Sequence, residues 1–201
     1  MRILVVGATG TIGTAVTRAL EPRHEVLRAS HSRSAFTVDL ADADSIRRLF
    51  AAVGRVDAVV SVAGNATFGP LVVLRDEDFA LGLGNKLMGQ VNLVRMGVGS
   101  VADGGSFTLT SGILSRQPML GGAAISLVNA GLEGFARAAA LELPRGIRLN
   151  VVAPGWVRET LVAMKMDPAA GTPAAVVART YVEAVEGRMT GQVLDTAATV
   201  V

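Results

Sequence analysis

The 201-residue sequence predicts an α/β fold, a single doubly wound parallel sheet with helices on both faces. Three observations carry that expectation. The apolar runs are continuous rather than alternating: RILVV, EVLRA, DAVVSV, SFTLT, IRLNVV and GQVL. A strand covered on both faces has no polar side to present, so it reads as an unbroken run. Helix-length segments alternate with these runs, over residues 11–20, 42–52, 76–98, 122–143 and 173–186, which is the rhythm of a doubly wound sheet. Finally, no linker, repeat or low-complexity block divides the chain, so residues 1–201 are expected to form one domain.

Composition narrows the function classes. Half the residues are apolar and 18% are charged, which fits a compact protein and neither a disordered nor a fibrous one. The 19 Lys plus Arg stand against 17 Asp plus Glu and are scattered. With no basic stripe and no interleaved aromatics, nucleic acid is not an expected partner. No apolar run free of Gly and charge reaches the roughly 18 residues a membrane span needs, and MRILVVGATG is too short and too Gly-broken for a signal peptide. No membrane partner is expected, and the expected compartment is the cytoplasm. With no cysteine there is no disulfide, thiol nucleophile or thiolate metal site, and no metal is expected.

Taking the elements in order, the first strand runs directly into GATGTIG, with Gly7, Gly10 and Gly13 three apart. Glycine is needed where the backbone bends tightly and approaches a pyrophosphate, and again where helix packs on strand. The following helix start presents free N–H groups and a positive dipole end. Gly7, Thr9, Gly10, Thr11, Ile12 and Gly13 are therefore expected to hold a dinucleotide. The second strand ends near Ser30, where an NAD-binding protein places a carboxylate on the adenosine ribose. The sequence instead reads RASHSRS, with Ser30, His31, Ser32 and Arg33 and no acid. Hydroxyls and a guanidinium welcome a 2′-phosphate, so NADP(H) is expected over NAD(H); the alternative is a solvated polar turn. Asp42 and Asp76 stand as capping carboxylates before amphipathic runs. Pro144 with Gly146 is expected to end the longest helix, and residues 164–172 to form a mobile loop.

Together these segments resemble the short-chain dehydrogenase/reductase family over nearly the whole chain. The resemblance implies a Rossmann fold and an oxidoreductase acting on a small carbonyl, alcohol or enone. It implies adenine contacts from Asp39 and Leu40 in TVDLAD, and a place along the adenosine side for Ala63 and Gly64 of SVAG. Ser111, at the end of TLTSG, stands where the family keeps a hydroxyl that polarises the substrate carbonyl. Pro154, Gly155 and Val157 of LNVVAPGWV match the turn that packs on the nicotinamide, and TGQVL matches the last strand.

The match fails at the family's central device. Members carry Tyr-x-x-x-Lys on the long helix, where the tyrosine moves a proton while the lysine holds the ribose. Anchored on LEGF, residues 132–135, those positions are Ile125 and Asn129. Neither moves a proton, although Asn129 can hydrogen-bond a ribose hydroxyl. Ser126 is the nearest hydroxyl on that helix, one position round. The preceding helix reads KLMG where the family has N-x-x-G, which puts Lys86 at the asparagine position. Pointing inward, Lys86 would hold the ribose or act as an acid; pointing outward, it is a surface lysine. The family's carboxamide-binding threonine position is Glu159, and the chain's only tyrosine, Tyr181, reads as a packing or interface residue. Two functions follow: an oxidoreductase with an altered proton path, or a catalytically inactive NADP(H)-binding sensor or interaction protein. Residues 86–101 and 123–143 are apolar or small on more than one face, so a homodimer or homotetramer through these helices is expected.

Overall fold

The computed structural model describes residues 1–196. Seven parallel strands form one sheet: β1 (Arg2–Val6), β2 (Glu25–Ser30), β3 (Phe36–Thr37), β4 (Val56–Ser61), β5 (Val101–Thr110), β6 (Arg148–Ala153) and β7 (Val193–Asp195), in the order β3-β2-β1-β4-β5-β6-β7. The order reverses between β1 and β4, where Val5 pairs with Arg28 on one side and Val60 on the other. Helices leaving β1 and β4 diverge to opposite faces there and open a crevice above the strand ends.

The continuous apolar runs are buried on both sides, as their pattern requires. On one face Phe107, Leu109 and Leu149 meet α2 (Ala43–Val53), α4 (Gly89–Gly97) and α5 (Ala123–Glu142), through Phe50, Leu93 and Leu132. On the other, Ile3, Val5 and Val60 meet α1 (Thr11–Leu20) and α7 (Ala174–Glu186), through Val16, Leu20 and Tyr181. Each fully buried side chain of this size contributes about 1.5–3 kcal/mol. Tyr181 is thus a core residue, its hydroxyl 2.8 Å from Thr110 Oγ1. Since Thr110 Oγ1 donates to the Ser61 carbonyl, Tyr181 is the donor of that pair. Burial pushes its phenol well above the usual tyrosine range. Among the described residues, no helix is long and apolar enough to cross a membrane.

Several elements depart from expectation. The segment over 76–98 is not one helix: α3 (Asp76–Leu81) gives way to a π-helical stretch, Gly82–Met88, before α4. Gly82 and Gly84 weaken the ordinary helical ladder there, and a π segment absorbs an additional residue. Asp76 is not the cap of α3; Arg75 is, with Asp78 accepting from its backbone N–H. Asp42 does cap α2, accepting from Asp44 N at 2.8 Å. A short helix α6 (Arg158–Ala163) precedes the segment expected as a mobile loop, which itself holds a 3-10 turn, Pro168–Ala170, capped by Asp167.

Candidate active-site groove

Two cavities adjoin over the strand ends and share Val62, Ala63, Gly64 and Asn65. The first, of about 330 Å³, is lined by Gly7, Thr9, Gly10, Ser30, His31, Asp39 and Leu40. The second, of about 340 Å³, is lined by Ile12, Lys86, Ser111, Ile125, Asn129, Pro154, Gly155 and Val157. One groove across the switch point thus collects most of the residues singled out from sequence. Gly13 lies beneath it, packing α1 on the loop: a Cβ there would sit 2.0 Å from the Gly7 carbonyl oxygen. Thr11 opens α1, whose N-terminus receives no side-chain cap and so leaves its first N–H groups for a ligand. Arg33 lines an adjoining cavity with Thr9, while Ser32 is exposed and lines none of these cavities. Asp39 turns its carboxylate onto Ala41 N at 2.9 Å.

The second cavity holds the residues singled out from sequence for chemistry, and they differ from the family pattern. Lys86 projects inward from the π-helical stretch and donates from Nζ to the Ser111 carbonyl at 3.1 Å. Gly64, at φ +141°, makes room: a Cβ there would lie 2.6 Å from Lys86 Cγ. Removal from water without a carboxylate partner lowers the Lys86 pKa to about 8. Asn129 is 2% exposed and its Oδ1 has no hydrogen-bond partner. An orphaned buried acceptor of this kind fits a ribose hydroxyl, which would satisfy it. Ile125 occupies the tyrosine position and offers only a hydrocarbon surface.

Ser126 is not brought into this cavity. One residue further round the helix than Ile125, it donates to the Leu114 carbonyl at 2.7 Å. Its hydroxyl anchors a neighbouring turn, so the expectation that it replaces the tyrosine is corrected. Glu159 is also engaged elsewhere, accepting from Ala174 N at 2.9 Å at the start of α7.

Three residues that sequence reasoning missed shape the site. Glu133, 2% exposed on α5, lies 3.1 Å from Ser111 Oγ and 2.6 Å from Ser115 Oγ, with Arg116 and Arg137 nearby. An ionised carboxylate only accepts, so the Ser111 proton points at Glu133 and the hydroxyl turns a lone pair to any other neighbour. Gln90, fully buried, bonds both backbone groups of Thr110, at 2.8 and 2.9 Å, and so fixes the strand end that carries Ser111. Trp156, directly after Pro154 and Gly155, stacks on Phe68 with ring centroids 6.1 Å apart on the cavity wall. A glutamate within a helix and a lone tryptophan carry no periodic signal; only the placement of Trp156 beside the Pro-Gly turn pointed to it.

Comparison with known proteins agrees with this architecture. Residues 7–199 match the family model described as enoyl-(acyl carrier protein) reductase. The crystal structure of the protein lin1944 from Listeria innocua superimposes with a TM-score of 0.94 at 42% identity, covering 98% of this chain and 100% of that one. A small-chain dehydrogenase in complex with NADPH matches at a TM-score of 0.86 and 28% identity, covering 97% and 95%. Human 3-oxoacyl-[acyl-carrier-protein] reductase is 33% identical over 130 residues, 61% of this chain and 55% of that protein. The chain spans about half the length of that relative and of its mouse and rat counterparts. The uncapped glycine loop at the switch point, the Pro-Gly turn and these matches place the chain in the short-chain dehydrogenase/reductase family.

Proposed function

We propose that the protein is an NADP(H)-dependent oxidoreductase that reduces a small carbonyl or enone, or oxidises the matching alcohol, with Lys86 in place of the family's tyrosine. The observation that carries this reading is that Lys86 is the only ionisable side chain on the wall of the second cavity among the described residues. Bound nicotinamide supplies the hydride. The chain must then hold it, exclude water and deliver a proton. The α1 N-terminus and the Gly7–Gly13 loop receive the diphosphate, Asn129 Oδ1 accepts from a ribose hydroxyl, and Ser30, His31 and Arg33 favour a 2′-phosphate. Lys86, as the ammonium, faces the developing oxyanion and protonates it. Ser111 braces Lys86 through its carbonyl oxygen, because its hydroxyl proton is held by Glu133. The NADPH complex of a relative at 28% identity supports the cofactor assignment.

A fluorescence titration with NADPH and NADH, followed by NADPH consumption against a panel of carbonyl and enone compounds, tests the reading. Tight binding without consumption would favour the second function, a sensor that kept the fold, which Ile125 in the tyrosine position supports. NADH binding as tightly as NADPH would remove the cofactor preference. Leu81, Leu83, Met88 and Leu127 are exposed along α3, the π-helical stretch and α5. They support assembly as a homodimer or homotetramer through these helices, and a monomer in size-exclusion chromatography at micromolar concentration would refute it.

A further inference from the structure

We propose that Lys86 is a carbonyl-trapping amine whose Nζ condenses with small aldehydes and ketones entering the second cavity to form a protonated imine. Of the 19 Lys plus Arg residues in the chain only two are lysine, Lys86 and Lys165. Arginine serves nearly every position where a positive charge is wanted, and arginine is never available as a neutral nucleophile at ordinary pH. Lysine stands instead at the one ionisable position of this cavity.

The geometry suits the reaction. Among the described residues Nζ has one partner, the Ser111 carbonyl oxygen at 3.1 Å, and no ion pair. Among the described residues no Asp, Glu, His or Arg lines the cavity wall, and the buried Glu133 is engaged by the hydroxyls of Ser111 and Ser115. No carboxylate therefore stabilises the protonated form, and desolvation brings the pKa to about 8, so a substantial minority of the amine is neutral at pH 7. At pH 7 such an amine is neutral about two hundred times more often than an ordinary lysine. Ile12, Ile113, Ile125 and Trp156 offer apolar walls to the body of the carbonyl compound.

The step balances without a redox partner. The neutral amine attacks the carbonyl carbon, a C–N bond forms as the C=O π bond breaks, and one nitrogen proton passes to the oxygen to give a neutral carbinolamine. The carbinolamine then loses that oxygen as water, drawing one further proton from solvent, and leaves an iminium bearing one positive charge. That charge is the proton taken up as water leaves, and the Ser111 carbonyl oxygen that accepted from Nζ accepts from the iminium N–H. The proposal needs no bound nicotinamide, so it stands or falls apart from hydride transfer.

The test uses the full chain with butanal and sodium cyanoborohydride at pH 7, without nicotinamide, and locates the reduced adducts by peptide mass mapping. Only three amines are present: Lys86, the exposed Lys165 and the amino group of Met1. Alkylation of Lys86 should exceed that of Lys165 by about tenfold or more and saturate with butanal concentration. Lys165→Arg should keep the saturable adduct and Lys86→Arg should lose it. Equal labelling of both lysines, labelling of Lys165 or Met1 alone, or a Lys86 rate that never saturates would each overturn the proposal.

Discussion

The two ends of the groove contrast in what their residues are made to do. At the end proposed for adenosine, the features that count are in the backbone: glycines that admit close approach, uncapped N–H groups at α1, and a strand end without an acid. At the other end it resides in side chains, and there the family pattern has been exchanged: Ile125 for the proton donor, Asn129 for the ribose lysine, and a lysine displaced to 86. Backbone requirements leave few sequence solutions. A proton donor can be supplied from any wall of the cavity that brings a titratable group near, so that half of the site drifts while the fold stays put.

The sharpest way to break the contrast is to strike the backbone end. Gly13→Val would push α1 away from the Gly7 carbonyl, at a cost of about 1–3 kcal/mol in packing strain, and should weaken NADPH binding by about a hundredfold or more. A variant that titrates like the parent would remove the loop from the site. At the side-chain end, Lys86→Ala should slow NADPH consumption by a factor of about 100 to 10,000, the usual loss on removing a general acid. Reduction needs the ammonium, so the parent rate should fall as pH rises through about 8. The same lowered pKa affects folding with a definite sign. Between about 8 and the ordinary lysine value of about 10.4, the unfolded chain holds a proton the folded one does not, so stability rises with pH across that window. Lys86→Met should flatten that slope in urea titrations; an unchanged slope would place the lysine in water.

Smaller effects sharpen the comparison. Glu133→Gln should cost about 1–3 kcal/mol by leaving buried hydrogen bonds to the two serines poorly satisfied. An unchanged denaturation midpoint would mean that Glu133 does not anchor Ser111. Arg33→Ala should weaken NADPH binding about tenfold, or roughly 1.4 kcal/mol, while leaving NADH untouched. Equal losses for both cofactors would show that Arg33 does not read the 2′-phosphate.

How far the sequence speaks for the structure follows the same division. The parallel sheet, α1, α2, α5 and α7 were legible from unbroken apolar runs and helix-length spacing, because burial on two faces imposes that pattern. That Gly7 and Gly10 line one end of the groove, with Gly13 packed beneath, was legible from glycine spacing. The π-helical stretch was not: it changes the register by one residue within a segment whose periodicity still reads as helix, and it carries Lys86. The sequence left open whether that lysine points inward, and the space left by Gly64 answers it. Ser126 failed for the opposite reason, since one step along a helix is about 100° of rotation and sufficed to turn its hydroxyl onto Leu114. Glu133 and Gln90 were invisible because long-range partners, 22 and 20 residues away in sequence, give them their roles.

The stacked pair at the cavity wall has a practical consequence. Trp156 is the chain's only tryptophan and it stands on Phe68 at the wall of the second cavity. Its emission therefore reports on this single place with no background from elsewhere in the chain, and any molecule that slides between or beside the rings will alter its intensity or colour. The protein carries its own optical probe on the wall of the second cavity, and binding of a carbonyl compound there would be timed in a stopped-flow instrument without a label.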